Sequence, residues 1–316
     1  MTGRGPAASA AGGGRSGPPD LPPFQTRAPF LARLDARLQH TRSALCLGID
    51  PHPDLLPRGF SGDVRGVEGF ASLLLRLAGP HASAVKLNLA FFEAFGSAGL
   101  VALERLRASV PADLPVILDA KRADIGSTAE RHAAALFDAL GADAVTANPY
   151  LGRDALEPFL ARADRFVYVL CRTSNAGAGE FQDMNVSAQG EHSTDADAPC
   201  TASPLYLHVA AGVRAWDDGR GRLGLVVGAT APREMVAVRE AAPDLAFLVP
   251  GAGVQGGDAA AVLPAARATA GAAGGLVGGG ALINVSRAIA SAALDGHDPE
   301  EAVDAAARRW ARRLQC

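Results

Sequence analysis

The chain has 316 residues, enough for two small domains or one large one, and 48% hydrophobic against 20% charged residues is the balance of a soluble globular protein with a large core. A net charge of −3 excludes a broad nucleic-acid footprint. The longest uncharged stretch, 268–286, is mostly Ala and Gly and excludes a lipid-spanning helix of ordinary apolarity, so no membrane segment is predicted.

The first 23 residues, "MTGRGPAASAAGGGRSGPPDLPP", are dominated by Gly, Ala, Ser and Pro, which bury too little apolar area to offset the entropy of ordering them. A disordered tail over 1–23 is predicted. Its lack of acids before Asp20 resembles a transit peptide, but neither an amphipathic pattern nor an apolar segment accompanies it. The four cysteines, Cys46, Cys171, Cys200 and Cys316, form no CxxC pairs, which points to reduced thiols and a cytoplasmic protein.

From Phe24 onward short apolar runs alternate with helical patterns. The predicted strands are "ALCLGID" (44–50), "AVKLN" (84–88), "PVILDAK" (115–121), "DAVTAN" (143–148), "FVYVLCR" (166–172), "LGLVVGA" (223–229), "AFLVPG" (246–251) and "ALINVS" (281–286). Between them "FLARLDARLQH", "VEGFASLLLRLA", "GLVALERLRAS", "TAERHAAALFDALG", "LYLHVAAGVRAW" and "PREMVAVREAA" carry apolar residues at helical spacing. Eight strands with intervening helices predict a single α/β domain over 24–316, a (β/α)8 TIM barrel. One connection, 174–204, lacks periodicity and follows strand five, where it would overhang the mouth of the barrel as a mobile cover or a tolerated insertion.

In a barrel, polar residues at the carboxyl ends of strands face the site. Asp50 ends strand one, Lys86 and Asn88 close strand two, Asp119 and Lys121 close strand three, and Asn148 follows strand four. Thr173, Ser174 and Asn175 follow strand five. Asp119 and Lys121, two apart, are predicted to point the same way, with Lys86 joining from the adjacent strand. Each ammonium would stabilise a neighbouring carboxylate in a partly desolvated cleft. The same charges also fit a structural ion-pair network at a barrel rim, and charge alone does not separate the readings.

Arg122 is predicted to be a solvated loop residue, and Ser127 with Glu130 to form a capping box. The glycines of "VPGAGVQGGD" (249–258), with Gln255 as a neutral donor and Arg287 as a cation, are predicted to hold a phosphate between the loops after strands seven and eight. The seven histidines show no metal-ligand spacing, so no metal site is predicted, and no Gly-x-Ser-x-Gly elbow is present.

The blocks "CLGIDPHPDLLP", "VKLNLAFFEAFG", "LDAKRADIGST", "ANPYLGRDALEPF", "LCRTSNAGAGEFQ" and "VPGAGVQGGD", in this order, resemble the orotidine 5'-phosphate decarboxylase family in its longer bacterial type. The resemblance runs from about Phe24 to the C-terminus. It implies a homodimeric barrel that converts orotidine monophosphate to uridine monophosphate without a cofactor. It implies a charged catalytic network of Lys86, Asp119, Lys121 and Asp124, with Lys121 the proton donor and Asp119 beside the departing carboxylate. Asp124 and Thr128 would reach the partner's site, Asp50 and Lys86 the ribose, Ser174 the pyrimidine, and Gln255 and Arg287 the phosphate. The polar segment near 187–203 and the Gly/Pro-rich head depart from the family pattern.

Two other readings fit the D-x-K-x-x-D strand. A Mg2+-dependent hexulose-phosphate synthase or ketogulonate-phosphate decarboxylase would need a further acid at the end of strand one or two. A non-catalytic nucleotide-binding barrel would not need the intact charged set.

Overall fold

A computed structural model describes residues 28–187, 202–253, 259–267, 280–294 and 298–316. The predicted tail and Gln255 lie outside the described residues. Among the described residues ten strands occur in chain order: β1 Leu45–Ile49, β2 Ala84–Asn88, β3 Val116–Arg122, β4 Ala144–Ala147, β5 Phe166–Arg172, β6 Asn185–Ser187, β7 Ala202–Pro204, β8 Leu223–Val227, β9 Ala246–Val249 and β10 Ala281–Val285. Eight of them close a parallel barrel in the order β1-β2-β3-β4-β5-β8-β9-β10, so the TIM barrel expectation holds. Each of the eight predicted runs becomes a barrel strand.

These strands read as near-continuous Val, Leu, Ile and Ala because both of their faces are covered. The outward side chains, such as Leu47, Val85, Leu118 and Val145, pack under the helices in one large core. The inward ones form a second core of Cys46, Ala84, Ile117, Ala144, Phe166, Tyr168 and neighbours. That second core is closed from below by the helix Phe30–Thr41, whose apolar stripe Phe30, Leu34 and Leu38 recurs every four residues and is buried. Phe30 stacks on Phe166 with ring centroids 5.0 Å apart, and each such buried side chain contributes roughly 2 kcal/mol.

The same helix is tied down electrostatically. Asp143, fully buried just before β4, accepts from Arg33 Nη1 at 2.5 Å, from Arg165 Nη1 at 3.4 Å and from the Val116 amide at 2.8 Å.

Three local expectations are corrected. Arg122 is the last residue of β3 and ion-pairs with Glu93, which holds it against the surface. The helix after β3 is Gly126–Ala133, capped by Ile125 without a side-chain bond; Ser127 therefore sits inside its first turn and cannot cap it. The segment 174–204 is not featureless where described, since it holds the helical turn Gly179–Gln182 and the antiparallel pair β6/β7. The C-terminal helix Pro299–Arg313, absent from the predicted set, packs along the helix Val64–Ala78.

Candidate active site

The inward-facing positions come in layers. Two residues beyond the apolar floor, the strands change chemistry: Lys86 follows Ala84, Asp119 follows Ile117, Thr146 follows Ala144 and Asn284 follows Leu282. Alternation puts these side chains on the floor's face, one layer nearer the carboxyl ends. They line a cavity of about 450 Å3 together with Asp50, Lys121, Ser174 and Arg287. A wider groove of about 900 Å3 lies on the outer flank, between the helices Phe30–Thr41 and Val64–Ala78. Its charges pair with one another, Arg37 with Asp113 and Arg76 with Glu300, and it lies away from the strands' carboxyl ends, which open into the smaller cavity.

Asp119 is the hub. Its Oδ2 accepts from Lys86 Nζ at 2.8 Å and its Oδ1 from Lys121 Nζ at 2.7 Å and from the Thr146 hydroxyl at 2.8 Å. Lys86 is 3% exposed and also lies 3.8 Å from Asp50 Oδ1. Lys121 has its side chain half-exposed at the mouth of the cavity.

Burial alone would raise the Asp119 carboxyl, but the ammonium groups of Lys86 and Lys121 override it and hold the group well below the usual carboxylate range. Burial would likewise lower Lys86, yet the charges of Asp119 and Asp50 keep it above the usual lysine range. Both groups therefore stay charged throughout the neutral range. Beneath them, burial pushes the Cys46 thiol up to about 12, so it stays neutral.

Alternation does not explain how Lys121 reaches the cavity. Pairing of β3 with β4 slips between Leu118 and Arg122, and Lys121 takes a left-handed backbone, φ 47°. In that bulge its amide leaves the ladder and donates to Thr146 Oγ1 at 3.0 Å. One hydroxyl thus fixes both the backbone of Lys121 and the carboxylate of Asp119.

The structure brings Lys86, Asp119, Lys121, Asp50, Ser174 and Arg287 around one cavity. Among the described residues no ion pair or hydrogen bond engages the Arg287 guanidinium. Asp124 and Thr128 are not among the described residues lining it. Asp124 accepts from the Ile125 amide at 2.8 Å, and Thr128 is exposed on the next helix.

Sequence reasoning missed Thr146, Asn284 and Ser286. Asn284 is 6% exposed, and Asn284 Oδ1, Ser286 Oγ and Asp50 Oδ1 are buried with no hydrogen-bond partner among the described residues. Gly48 on β1 makes room for them, since a Cβ there would stand 2.7 Å from Ser286 Cβ and 2.8 Å from Asn284 Oδ1. The signal was a single polar residue at an inward position of an otherwise apolar strand, visible in "DAVTAN" and "ALINVS".

Known proteins share this sequence pattern and this fold. The sequence profile described as "Orotidine 5'-phosphate decarboxylase / HUMPS family" matches residues 43–306. The chain is 47% identical over 239 residues to the orotidine 5'-phosphate decarboxylase of Roseiflexus castenholzii, covering 76% of this chain and 83% of the relative. It superposes on the Leishmania donovani OMP decarboxylase with a TM-score of 0.72 and 36% identity, over 90% of this chain and 97% of that one. Against the Leishmania donovani UMP synthase the TM-score is 0.75 and the identity 38%, over 91% of this chain but 56% of that longer protein. A barrel with these charges at its strand ends, matched by profile, sequence and fold alike, belongs to the orotidine 5'-phosphate decarboxylase / HUMPS family.

Proposed function

We propose that the chain decarboxylates orotidine 5'-monophosphate to uridine 5'-monophosphate, the last step of de novo UMP synthesis, without a cofactor. The observation that carries this reading is the Asp119 carboxylate held between two ammonium groups, Lys86 at 2.8 Å and Lys121 at 2.7 Å, inside a cavity.

When the bond from the pyrimidine ring to its carboxylate breaks, CO2 leaves and the electron pair stays on the ring carbon. That carbon cannot delocalise the charge well. A cation already in place stabilises it without reorganisation, and this is the largest contribution such a site can make. Lys121 then gives a proton from Nζ to the same carbon and regains one from water at the open side of the cavity. Asp119 fixes that ammonium and stands beside the departing carboxylate. Lys86 keeps Asp119 ionised and, with Asp50, meets the ribose. Ser174 contacts the base, and Arg287, with Gln255, takes the phosphate.

The other branch of the family name, a metal-dependent synthase, is disfavoured by the donor set. The Lys86 ammonium stands between the carboxylates of Asp50 and Asp119, where a divalent cation would have to be held. Residues from 24 onward act as one barrel domain, and we place the enzyme in the cytosol as a homodimer that shares its sites through Asp124 and Thr128. Among the described residues no helix is long and apolar enough to cross a membrane, and Cys46, Cys171 and Cys316 are free. Ile125, Tyr150 and Leu151, exposed after β3 and β4, supply an apolar surface for the partner. The test is loss of the orotate chromophore on adding orotidine 5'-monophosphate in excess EDTA. Undiminished turnover is expected; no turnover, or turnover abolished by EDTA, contradicts the reading.

A further inference from the structure

β5 ends at Arg172, and the chain then turns across the cavity through Thr173, Ser174 and Asn175, all of which line it. A turn that leaves a sheet has backbone groups without ladder partners, and its geometry is only as definite as the bonds that replace them. Here side chains replace them. Gln182, at the end of the helical turn Gly179–Gln182, accepts from the Thr173 amide at 2.8 Å through Oε1 and donates from Nε2 to Thr173 Oγ1 at 2.9 Å. Thr173 Oγ1 in turn donates to Asn175 Oδ1 at 2.7 Å. The backbone amide can only donate, so it fixes which end of the Gln182 amide faces it.

The flanks of the turn are held as well. Arg172 grips both oxygens of Asp183 at 2.7 and 3.0 Å and gives Nη1 to the Thr173 carbonyl at 2.7 Å. On the opposite side Thr230 Oγ1 donates to the Ser174 carbonyl at 3.2 Å. Gly228 lets the turn come close, since a Cβ there would lie 2.7 Å from Ser174 Cα and N.

From this geometry we infer that Gln182 is a positioning residue of the active site, which holds the Thr173–Asn175 turn so that Ser174 meets the base of the nucleotide. The inference rests on the reading of Ser174 given above. Gln182 lines the cavity, but its oxygen and an N–H are committed to Thr173, so it acts through the turn. The base end of the ligand depends on it, and the phosphate end, at Arg287 after β10, does not.

The test compares UMP with ribose 5-phosphate as competitive inhibitors, because the two share phosphate and sugar and only UMP has a base. Gln182→Ala is expected to weaken UMP about tenfold, the effect of losing one or two net hydrogen bonds, and to leave ribose 5-phosphate unchanged. KM should rise more than kcat falls. Gln182→Glu should recover most of the UMP affinity, since a carboxylate oxygen still accepts the Thr173 amide. Ser174→Ala should also weaken UMP, and Gln182→Ala should add little in that background.

Equal weakening of both inhibitors by Gln182→Ala, or additive effects of the two substitutions, would overturn the proposal. So would an unchanged UMP affinity in Gln182→Ala beside a weakened one in Ser174→Ala. If neither substitution moves UMP affinity, the assignment of Ser174 to the base fails first, and the proposal with it.

Discussion

Lys121 holds a backbone conformation that a residue with a Cβ avoids, at a cost of roughly 1–2 kcal/mol, and a fold retains such strain where other contacts fix it. The fixing contact is Thr146. Thr146→Val keeps the shape but leaves the Lys121 amide and Asp119 Oδ1 one partner short each. A fall in kcat of about tenfold to a hundredfold is expected, with the melting temperature changed far less than activity. Asp119 also carries a stability argument with a definite sign. Its carboxyl is depressed in the folded state, so its contribution is present above the unfolded value of about 4 and is lost as pH falls through the folded value. Lys86 is raised, so its contribution is present below about 10.4 and is lost as pH rises through its folded value. Asp119→Asn, which strips the buried Lys86 of its nearer partner, should cost about 3 kcal/mol in urea unfolding at neutral pH. That difference should stay level from about pH 5 to 9 and shrink only below about pH 4.

At the scale of elements, each barrel strand advertised itself as an apolar run covered on both faces, and the first five also carried polar residues at or just past their carboxyl ends. Asp50, Lys86 and Asp119 were legible for that reason. The bulge at Lys121 was not, because a slip in pairing depends on the neighbouring strand, and "LDAKRAD" read alone gives plain alternation. The mistaken capping box has a similar cause: the S-x-x-E spacing is local, whereas the helix start is set by the extended Ile125 that leads out of the site. Gln182 carried no signal, because its partner Thr173 lies nine residues away across an irregular turn. The opposite end of the barrel gives a control. Asp143 holds Arg33 and Arg165 under the floor, far from the reacting groups, so Asp143→Ala should destabilise the fold by about 3–5 kcal/mol. At temperatures where it remains folded, its KM should match that of the wild type.

For the whole molecule, one chain supplies Lys86, Asp119 and Lys121 to its own cavity, whereas Asp124 and Thr128 are not among the described residues lining it. If Asp124 completes the partner's site, Lys121→Ala and Asp124→Ala, each nearly inactive alone, should regain activity when unfolded together and refolded as a mixture. Random pairing leaves about a quarter of the sites with both residues intact, so about a quarter of wild-type turnover is expected. Complementation near zero would place Asp124 in its own chain's site. The account as a whole turns on the Lys121 ammonium, and its most direct test is turnover of orotidine 5'-monophosphate by Lys121→Ala, followed by loss of the orotate absorbance. A fall of at least about a thousandfold with the fold intact by circular dichroism is expected; turnover within tenfold of the wild type would contradict the account.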